Sequence, residues 1–183
     1  MRKDRKQNRL KEYDYSQEGL CFITICSKNR EEMFSIINEH DAVVGTALAA
    51  VRNEVPVSIE LTDVGMIIDR QWNDIVHRYE NVSIDDYVIM PNHIHGILII
   101  DQRTGASPVP TLSNIIGAFK SKSAGKYLKF IKQNDLNISG KIWQRSFYDH
   151  IIRDEKDLNR IRTYIRDNSA NWLQDENNIN KKR

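Results

Sequence analysis

Long apolar runs and secretion signals are missing from this sequence. Apolar stretches such as residues 96–100 fall far short of the ~20 residues that a membrane-spanning helix needs. The amino terminus reads Met-Arg-Lys-Asp and lacks the apolar core of a signal peptide. The sequence therefore predicts a protein without a membrane partner and, by default, a cytoplasmic location.

Cysteine is also scarce, since Cys21 and Cys26 are the only two. They lie five residues apart in a segment that is typical of one β-strand, where this spacing turns the side chains to opposite faces. Such side chains cannot easily form a disulfide bond. We expect both cysteines to be reduced.

Internal repeats, low-complexity segments and linkers are absent as well. The 183 residues are 40% hydrophobic and 28% charged, which is typical of one globular domain and unlike a disordered chain. The composition predicts a basic N-terminal arm at residues 1–18, one domain at 19–175 and a polar tail at 176–183.

The charge is unevenly distributed although the net charge is only +2. Residues 31–86 contain twelve acidic residues against three arginines, whereas residues 111–134 contain five lysines and no acidic residue. One surface is therefore expected to attract a polyanion while another repels it. The alternative is that these lysines only solvate a helix.

Apolar periodicity predicts seven elements in the order strand, helix, strand, strand, helix, strand, helix. The predicted segments are 20–27, a helix from Thr62 or Asp63 to about Tyr79, 83–90, 93–100, 112–131, 142–148 and a final helix capped by Asp154. This order is typical of an α+β fold with an antiparallel sheet and helices packed on one face. Residues 41–60 combine helix-favouring alanines with Gly45, Pro56 and a strand-like alternation, so both conformations stay open.

Two histidines lie in the second strand of the predicted hairpin. His93 and His95 are two residues apart, so their side chains point to the same face of the strand. Two such imidazoles can hold one ion at ~2.1 Å each. The pair predicts half of a metal site, although histidines that only pack on a strand show the same spacing.

The last predicted helix contains Tyr164 and Asn168, one turn apart on the same face. Both border the apolar stripe of that helix, so they can lie beside the sheet and still reach a substrate. A phenol there can act as a nucleophile and an amide oxygen as a metal ligand. The alternative assigns both to an ordinary helix edge; Tyr148 is a weaker candidate nucleophile.

Three segments, FITICSKNREEMF (22–34), YVIMPNHIHGILII (87–100) and WQRSFYDHIIRDEKDLNRIRTYIRDN (143–168), occur in this order. Together they resemble the single-tyrosine HUH transposases, specifically the REP-associated tyrosine transposase group, over about residues 20–172. The resemblance implies an RRM-like (ferredoxin-like) antiparallel sheet. It also implies metal-dependent cleavage and rejoining of single-stranded DNA through a 5′-phosphotyrosine intermediate, without ATP.

The resemblance also implies roles for individual residues. The histidine-hydrophobic-histidine motif of the family matches His93 and His95 as metal ligands, its nucleophile matches Tyr164, and its third ligand matches Asn168. Ser169 follows this asparagine where the family usually has proline, which loosens the expected end of the helix. The expected cofactor is a divalent metal, Mg²⁺ or Mn²⁺.

Single-stranded or hairpin DNA is the partner that the resemblance implies. The candidate DNA-binding residues are Lys120, Lys122, Lys126, Arg145 and Arg153. His150 either orients a phosphate, relays a proton or has a structural role. A non-cleaving structured-DNA-binding module derived from such a transposase is the alternative function. The sequence leaves open whether the chain is a monomer or a homodimer, and which subunit the tyrosine serves.

Overall fold

The computed structural model describes residues 18–39, 57–101 and 110–180. All but the last residue of the predicted basic arm, and residues 41–56 of the segment left open, lie outside these ranges. The described elements are β1 (Gly19–Cys26), β2 (Ser35–Glu39), β3 (Val57–Leu61), α1 (Asp63–Asn73), α2 (Ile75–Arg78), β4 (Val82–Ile89), β5 (His93–Ile100), α3 (Leu112–Gln133), β6 (Tyr148–Ile152) and α4 (Glu155–Asp167).

Four strands form the main sheet in the order β4-β5-β1-β6, and every neighbouring pair is antiparallel. β2 and β3 form a separate two-stranded ribbon. Apart from this ribbon and the short α2, the elements before α4 follow the β-α-β-β-α-β order of an RRM-like (ferredoxin-like) fold. The expected α+β class is confirmed.

One face of the sheet carries the larger core. Alternate residues of β1, such as Ile23 and Ile25, are completely buried on this face against Trp72 of α1 and Phe119 of α3. Gly96 of β5 lies under Trp72, where an added Cβ would be 2.5 Å from the indole carbon Cζ2. Glycine at this position therefore allows α1 to pack closely on the strand.

The opposite face carries α4, which uses a smaller apolar cluster of Phe22, Ile97, Leu158, Ile161 and Ile165. α1 and α3 thus share one face, whereas α4 covers the other. The one-sided apolar stripe of α4 matches the apolar side chains that β1 and β5 present there. Because His93 and His95 alternate in phase with Ile97, they lie on the face covered by α4.

Side-chain caps begin three helices where the sequence allows them. The Thr62 side chain accepts a hydrogen bond from the Gly65 amide at 3.0 Å, and Asp154 accepts one from the Asp157 amide at 2.8 Å. Thr111 caps α3 through the Asn114 amide. These caps satisfy amides that would otherwise have no intrahelical partner.

The strand predicted at residues 142–148 is wrong. β6 begins at Tyr148, and before it only an isolated bridge joins Trp143 to Ser27. Ile142 and Trp143 are apolar because they pack in the larger core, and the Trp143 indole donates to Ser123 of α3 at 2.9 Å. The segment that follows is therefore free to line a pocket.

Two further expectations can be compared with the described residues. Cys21 and Cys26 are both free and buried, as predicted. No helix in the described part of the chain is long and apolar enough to span a bilayer.

Candidate active site

Four predicted side chains come together between β5 and α4. The imidazole centroids of His93 and His95 are 4.3 Å apart, and the phenol oxygen of Tyr164 is 3.2 Å from His95 Nε2. Asn168, at the end of α4, is only 3% exposed. Its side-chain amide lies close enough to His93 and Tyr164 to shift the pKa of both. We call these four residues the four-residue cluster.

Asn92 determines which nitrogen of His93 carries the proton. Its amide group donates to the carbonyl oxygens of Arg30 at 3.1 Å and of Asn177 at 2.9 Å, so its own oxygen faces His93. That oxygen lies 2.9 Å from His93 Nδ1 and can only accept a hydrogen bond. Nδ1 is therefore protonated, and Nε2 keeps a lone pair that can bind a metal.

His95 is oriented by strand pairing. Thr24 of β1 lies opposite it in the ladder, and the threonine hydroxyl is 2.8 Å from His95 Nδ1. The Phe22 ring stacks beside the imidazole, with the centroids 5.3 Å apart. When Nδ1 donates to Thr24, Nε2 accepts the hydrogen bond of the Tyr164 phenol.

Two buried acceptors in the cluster lack partners. Among the described residues, His93 Nε2 and Asn168 Oδ1 are buried without any hydrogen bond. A buried acceptor without a partner costs about 1–3 kcal/mol, so two of them near one imidazole pair require an explanation. A divalent cation fits, because these atoms and His95 Nε2 form a nitrogen and oxygen donor set suited to Mn²⁺ or Mg²⁺.

Asp175 is a candidate ligand that sequence reasoning missed. Its carboxylate lies with the ligand atoms of His93 and His95 in a group whose members are all within 4.8 Å of one another. It follows the short helical turn of Trp172–Gln174, in which Trp172 is buried near His93. A carboxylate adds the negative charge that a hard cation favours.

Burial keeps both imidazoles neutral. It lowers the pKa of His93 to about 3, to which the Arg30 cation contributes while the Asn168 side chain opposes it. Burial also lowers the pKa of His95 well below its ordinary value, and His93 adds to this. Both histidines are therefore in the ligating form at neutral pH without a proton having to leave first.

The environment of Tyr164 disfavours the phenolate, the ionised form that would attack phosphorus. Burial raises the pKa of its phenol, the carboxylates of Asp175 and Glu176 raise it further, and the Asn168 side chain opposes them. The phenol is therefore protonated at neutral pH. Since 45% of the residue is exposed, a substrate can still reach its oxygen.

An open pocket of about 470 Å³ lies in front of Tyr164 and His95. Its walls carry the aromatic rings of Phe22, Phe147 and Tyr148 and the cations of Arg30 and Arg160. Sequence reasoning named neither arginine, because one lies in the turn after β1 and the other on the exposed side of α4. Aromatic rings and cations together suit a strand of planar bases and phosphates.

Lys120 of α3 contacts the wall of this pocket through two hydrogen bonds. Its ammonium donates to the carbonyl oxygens of Gln144 at 2.9 Å and Ser146 at 2.8 Å, and burial lowers its pKa to about 8. Both residues line the pocket. Lys120 thus holds the pocket wall in place.

The other predicted DNA-binding residues are exposed at different places. Lys122 and Lys126 lie on α3, which packs on the face away from the four-residue cluster. Arg145 lies between two pocket-lining residues, and Arg153 follows β6. Arg145 is therefore the member of this set that lies nearest in sequence to the pocket wall.

The neutral, buried state of His93 predicts a pH-dependent stability. Histidine titrates near pH 6.5 when unfolded, whereas His93 titrates at about 3 in the fold. The unfolded state binds more protons between these values, so the free energy of unfolding decreases as the pH falls below ~6.5.

Between pH 7.5 and 5.5 we expect His93 alone to account for a loss of ~1.4 kcal/mol. Urea unfolding in buffer without divalent cations measures this loss, and His93→Gln should reduce it by about that amount. The ordinary pKa values of aspartate and glutamate, near 4, lie below this window. Equal stability at the two pH values would contradict the assignment.

Comparisons with known proteins provide the family. The family model described as "Transposase IS200 like" matches residues 68–168, more than half of the chain. A Haemophilus influenzae protein carrying the name "Uncharacterized protein" is 35% identical over 185 residues, which cover 94% of this chain and 92% of the relative.

Two solved structures are similar at low identity. A REP-associated tyrosine transposase bound to a REP hairpin is 19% identical, with a TM-score of 0.49 over 87% of this chain and 72% of that chain. A presumed transposase from Deinococcus radiodurans R1 is 15% identical, with a TM-score of 0.42 over 87% of this chain and 95% of that chain. On the family model, this chain belongs to the IS200-like transposase family.

Proposed function

We propose that the chain cleaves and rejoins single-stranded DNA, at foldback hairpins, through a 5′-phosphotyrosine intermediate on Tyr164. The observation that carries this proposal is the contact of 3.2 Å between the phenol oxygen and His95 Nε2, beside the unpartnered acceptors of His93 and Asn168. A candidate nucleophile thus lies beside a set of candidate metal ligands. This combination matches phosphoryl transfer better than passive binding.

The four-residue cluster supplies the ligands for a divalent cation. His93, His95 and Asn168 would hold it, and Asp175 lies close enough to contribute a carboxylate. When bound, Mg²⁺ or Mn²⁺ would neutralise charge on the scissile phosphate and polarise its P–O bonds. Asn92 and Thr24 would keep the two imidazoles in the ligating orientation.

Tyr164 provides the covalent chemistry. Its oxygen forms a bond to phosphorus while the bond from phosphorus to the 3′ oxygen breaks, so the downstream fragment stays on the protein through its 5′ phosphate. The phenol proton leaves through the open pocket, and the departing 3′ oxygen takes up a proton. A 3′-OH can later attack the same phosphorus and release the tyrosine, so no ATP is needed.

Deprotonation of the Tyr164 phenol costs free energy, and the metal-bound site must offset this cost. An ordinary tyrosine titrates ~3 pH units above neutrality, a deficit of roughly 4 kcal/mol, and the pKa of Tyr164 is raised further. A divalent cation held by the imidazole pair would oppose the effect of Asp175. Cleavage by Tyr164 is therefore expected to depend on metal binding.

The pocket would accommodate the strand that is cut. Tyr148 and the exposed part of Phe147 would stack unpaired bases, and Arg30 and Arg160 would contact phosphates. Arg145 and Arg153 would extend this contact beyond the pocket. DNA that continues around the edge of the sheet would meet Lys122 and Lys126, whereas Lys120 would act by holding the pocket wall.

An adduct assay tests the proposal. Single-stranded hairpin oligonucleotides carrying a label at one end are incubated with the protein and Mn²⁺, Mg²⁺ or EDTA, and then resolved under denaturing conditions. We expect the 3′ label to migrate with the protein and the 5′ label to appear on a free fragment, only when metal is present. Binding without any adduct would instead support the non-cleaving DNA-binding module.

A further inference from the structure

A β-bulge in β4 places two consecutive carboxylates on the side of the sheet that α4 covers. The pairing with β5 shifts by one residue between Ile84, opposite Leu98, and Tyr87, opposite Gly96. Asp85 and Asp86 therefore both lie opposite Ile97, whose side chain points towards α4. We call these two residues the acidic bulge.

Each carboxylate of the acidic bulge meets an arginine of α4. Arg162 Nε is 2.8 Å from a carboxylate oxygen of Asp85, and Arg166 is 2.9 Å from one of Asp86. The two arginines are four residues apart, so they lie one turn apart on the helix with Tyr164 between them in sequence. The ion pairs thus span the turn that carries the phenol.

A third contact holds the start of α4 at the other edge of the sheet. His150 Nε2 of β6 lies 2.7 Å from a carboxylate oxygen of Asp157, in the first turn of the helix. Since the sheet order is β4-β5-β1-β6, α4 is held at both edge strands. The strand with His93 and His95 runs between these anchors.

The apolar contacts of α4 are few, so the polar contacts contribute to its orientation. Its buried side chains are three aliphatic residues, Leu158, Ile161 and Ile165, which pack on a small cluster. Apolar packing is non-directional and tolerates a small slide or rotation. Such a movement would lengthen the ion pairs on both sides of the helix.

We infer that Asp85 and Asp86, with Arg162 and Arg166, are positioning residues that hold Tyr164 against the imidazole pair of its own chain. This inference rests on the proposed function. The Asp85 pair contributes more than the Asp86 pair, because Arg162 is 30% exposed in its side chain and Arg166 is 67% exposed. The β-bulge thereby places both carboxylates where they support Tyr164.

The first test compares cleavage rate with DNA affinity. In single-turnover cleavage of a labelled hairpin oligonucleotide with Mn²⁺, we expect Asp85→Asn and Arg162→Gln to be about 10- to 100-fold slower, because a displacement near 1 Å has this effect on a positioned nucleophile. The Kd for the DNA and the melting temperature should change little, since partly exposed ion pairs add little to global stability.

A charge exchange and a matched control identify the cause. The double variant Asp85→Arg/Arg162→Asp should regain a rate within about fivefold of the parent, as expected for two residues that act as a pair. Asp74→Asn breaks a comparable ion pair with Arg78 between α1 and α2, on the other face of the sheet. Its cleavage rate should stay at the parental value.

A second readout does not need activity. In protein labelled with 3-fluorotyrosine, the ¹⁹F resonance lost in Tyr164→Phe identifies Tyr164, which lies beside the rings of His95 and Phe22. Asp85→Asn should shift this resonance and the charge exchange should return it. A parental chain that forms no adduct would refute the proposed function, while this resonance would still test the positioning.

Either of two results would overturn the inference. One is that a folded Asp85→Asn protein keeps both the parental rate and the parental Tyr164 resonance. The other is that the Asp85→Arg/Arg162→Asp variant folds with a parental melting temperature but restores neither the cleavage rate nor the Tyr164 resonance.

Discussion

Replacing Tyr164 with phenylalanine is expected to abolish covalent protein–DNA adducts, with a loss of at least about 10³-fold in cleavage. The substitution removes only the oxygen that would attack phosphorus. The ring still contacts Phe22 and His95, whose centroids lie 6.0 and 5.1 Å from it, so the pocket keeps its shape. Hairpin binding should therefore stay close to the parental affinity in a gel-shift measurement.

Tyr148→Phe is the matched control for this variant. Tyr148 lies in the same pocket, is 50% exposed and also contacts the Phe22 ring. Its hydroxyl does not contact the imidazole pair in the described structure, so its loss should leave adduct formation intact. Adducts that persist in Tyr164→Phe and disappear in Tyr148→Phe would reassign the nucleophile.

Removing the imidazole pair is expected to have the second largest effect. The double variant His93→Gln/His95→Gln should lower metal-dependent cleavage by more than about 10²-fold, because even outer partners of metal ligands contribute 10- to 100-fold. Mn²⁺ binding should fall in parallel, which electron paramagnetic resonance of the free ion measures without any DNA. Activity and metal affinity should decline together.

Two single variants provide an intermediate case and a control. Asp175→Asn should weaken Mn²⁺ binding by about tenfold if its carboxylate acts with the histidines. His77→Gln replaces an exposed histidine of α2 and should change neither metal affinity nor cleavage. Parental Mn²⁺ affinity in the double histidine variant would refute the metal site at these residues.

The features of the site that follow a simple period could be predicted from the sequence. Two histidines at strand spacing share a face, and a tyrosine and an asparagine at helical spacing share another. The family resemblance indicated that these two faces meet. The structure brings them together through Thr24, which pairs with His95 across the sheet, and through the apolar stripe of α4.

Contacts that depend on tertiary packing could not be predicted in this way. Asp175 follows a short turn in a polar segment without periodicity, and only the burial of Trp172 brings it to the histidines. The acidic bulge breaks the two-residue period of β4, so alternation alone would place its two carboxylates on opposite faces.

The error at residues 142–148 has the same origin. Ile142 and Trp143 are apolar because of α3 and the larger core, a reason that a one-dimensional pattern cannot separate from strand pairing. The side of the sheet covered by α4 was also missed, because periodicity shows that a helix has an apolar stripe and does not show which face receives it. A second apolar sheet face, at Phe22 and Ile97, was the available signal.

The most direct test of the central claim is the chemical identity of the adduct. Protein incubated with a hairpin oligonucleotide and Mn²⁺ is denatured, trimmed with nuclease and digested with trypsin, which cuts after Arg162 and Arg166. We expect mass spectrometry to find a nucleotide 5′-phosphate on Tyr164 in the peptide of residues 163–166. A nucleotide on any other residue, or none on a chain that cuts the DNA, would contradict the role of Tyr164 as the nucleophile.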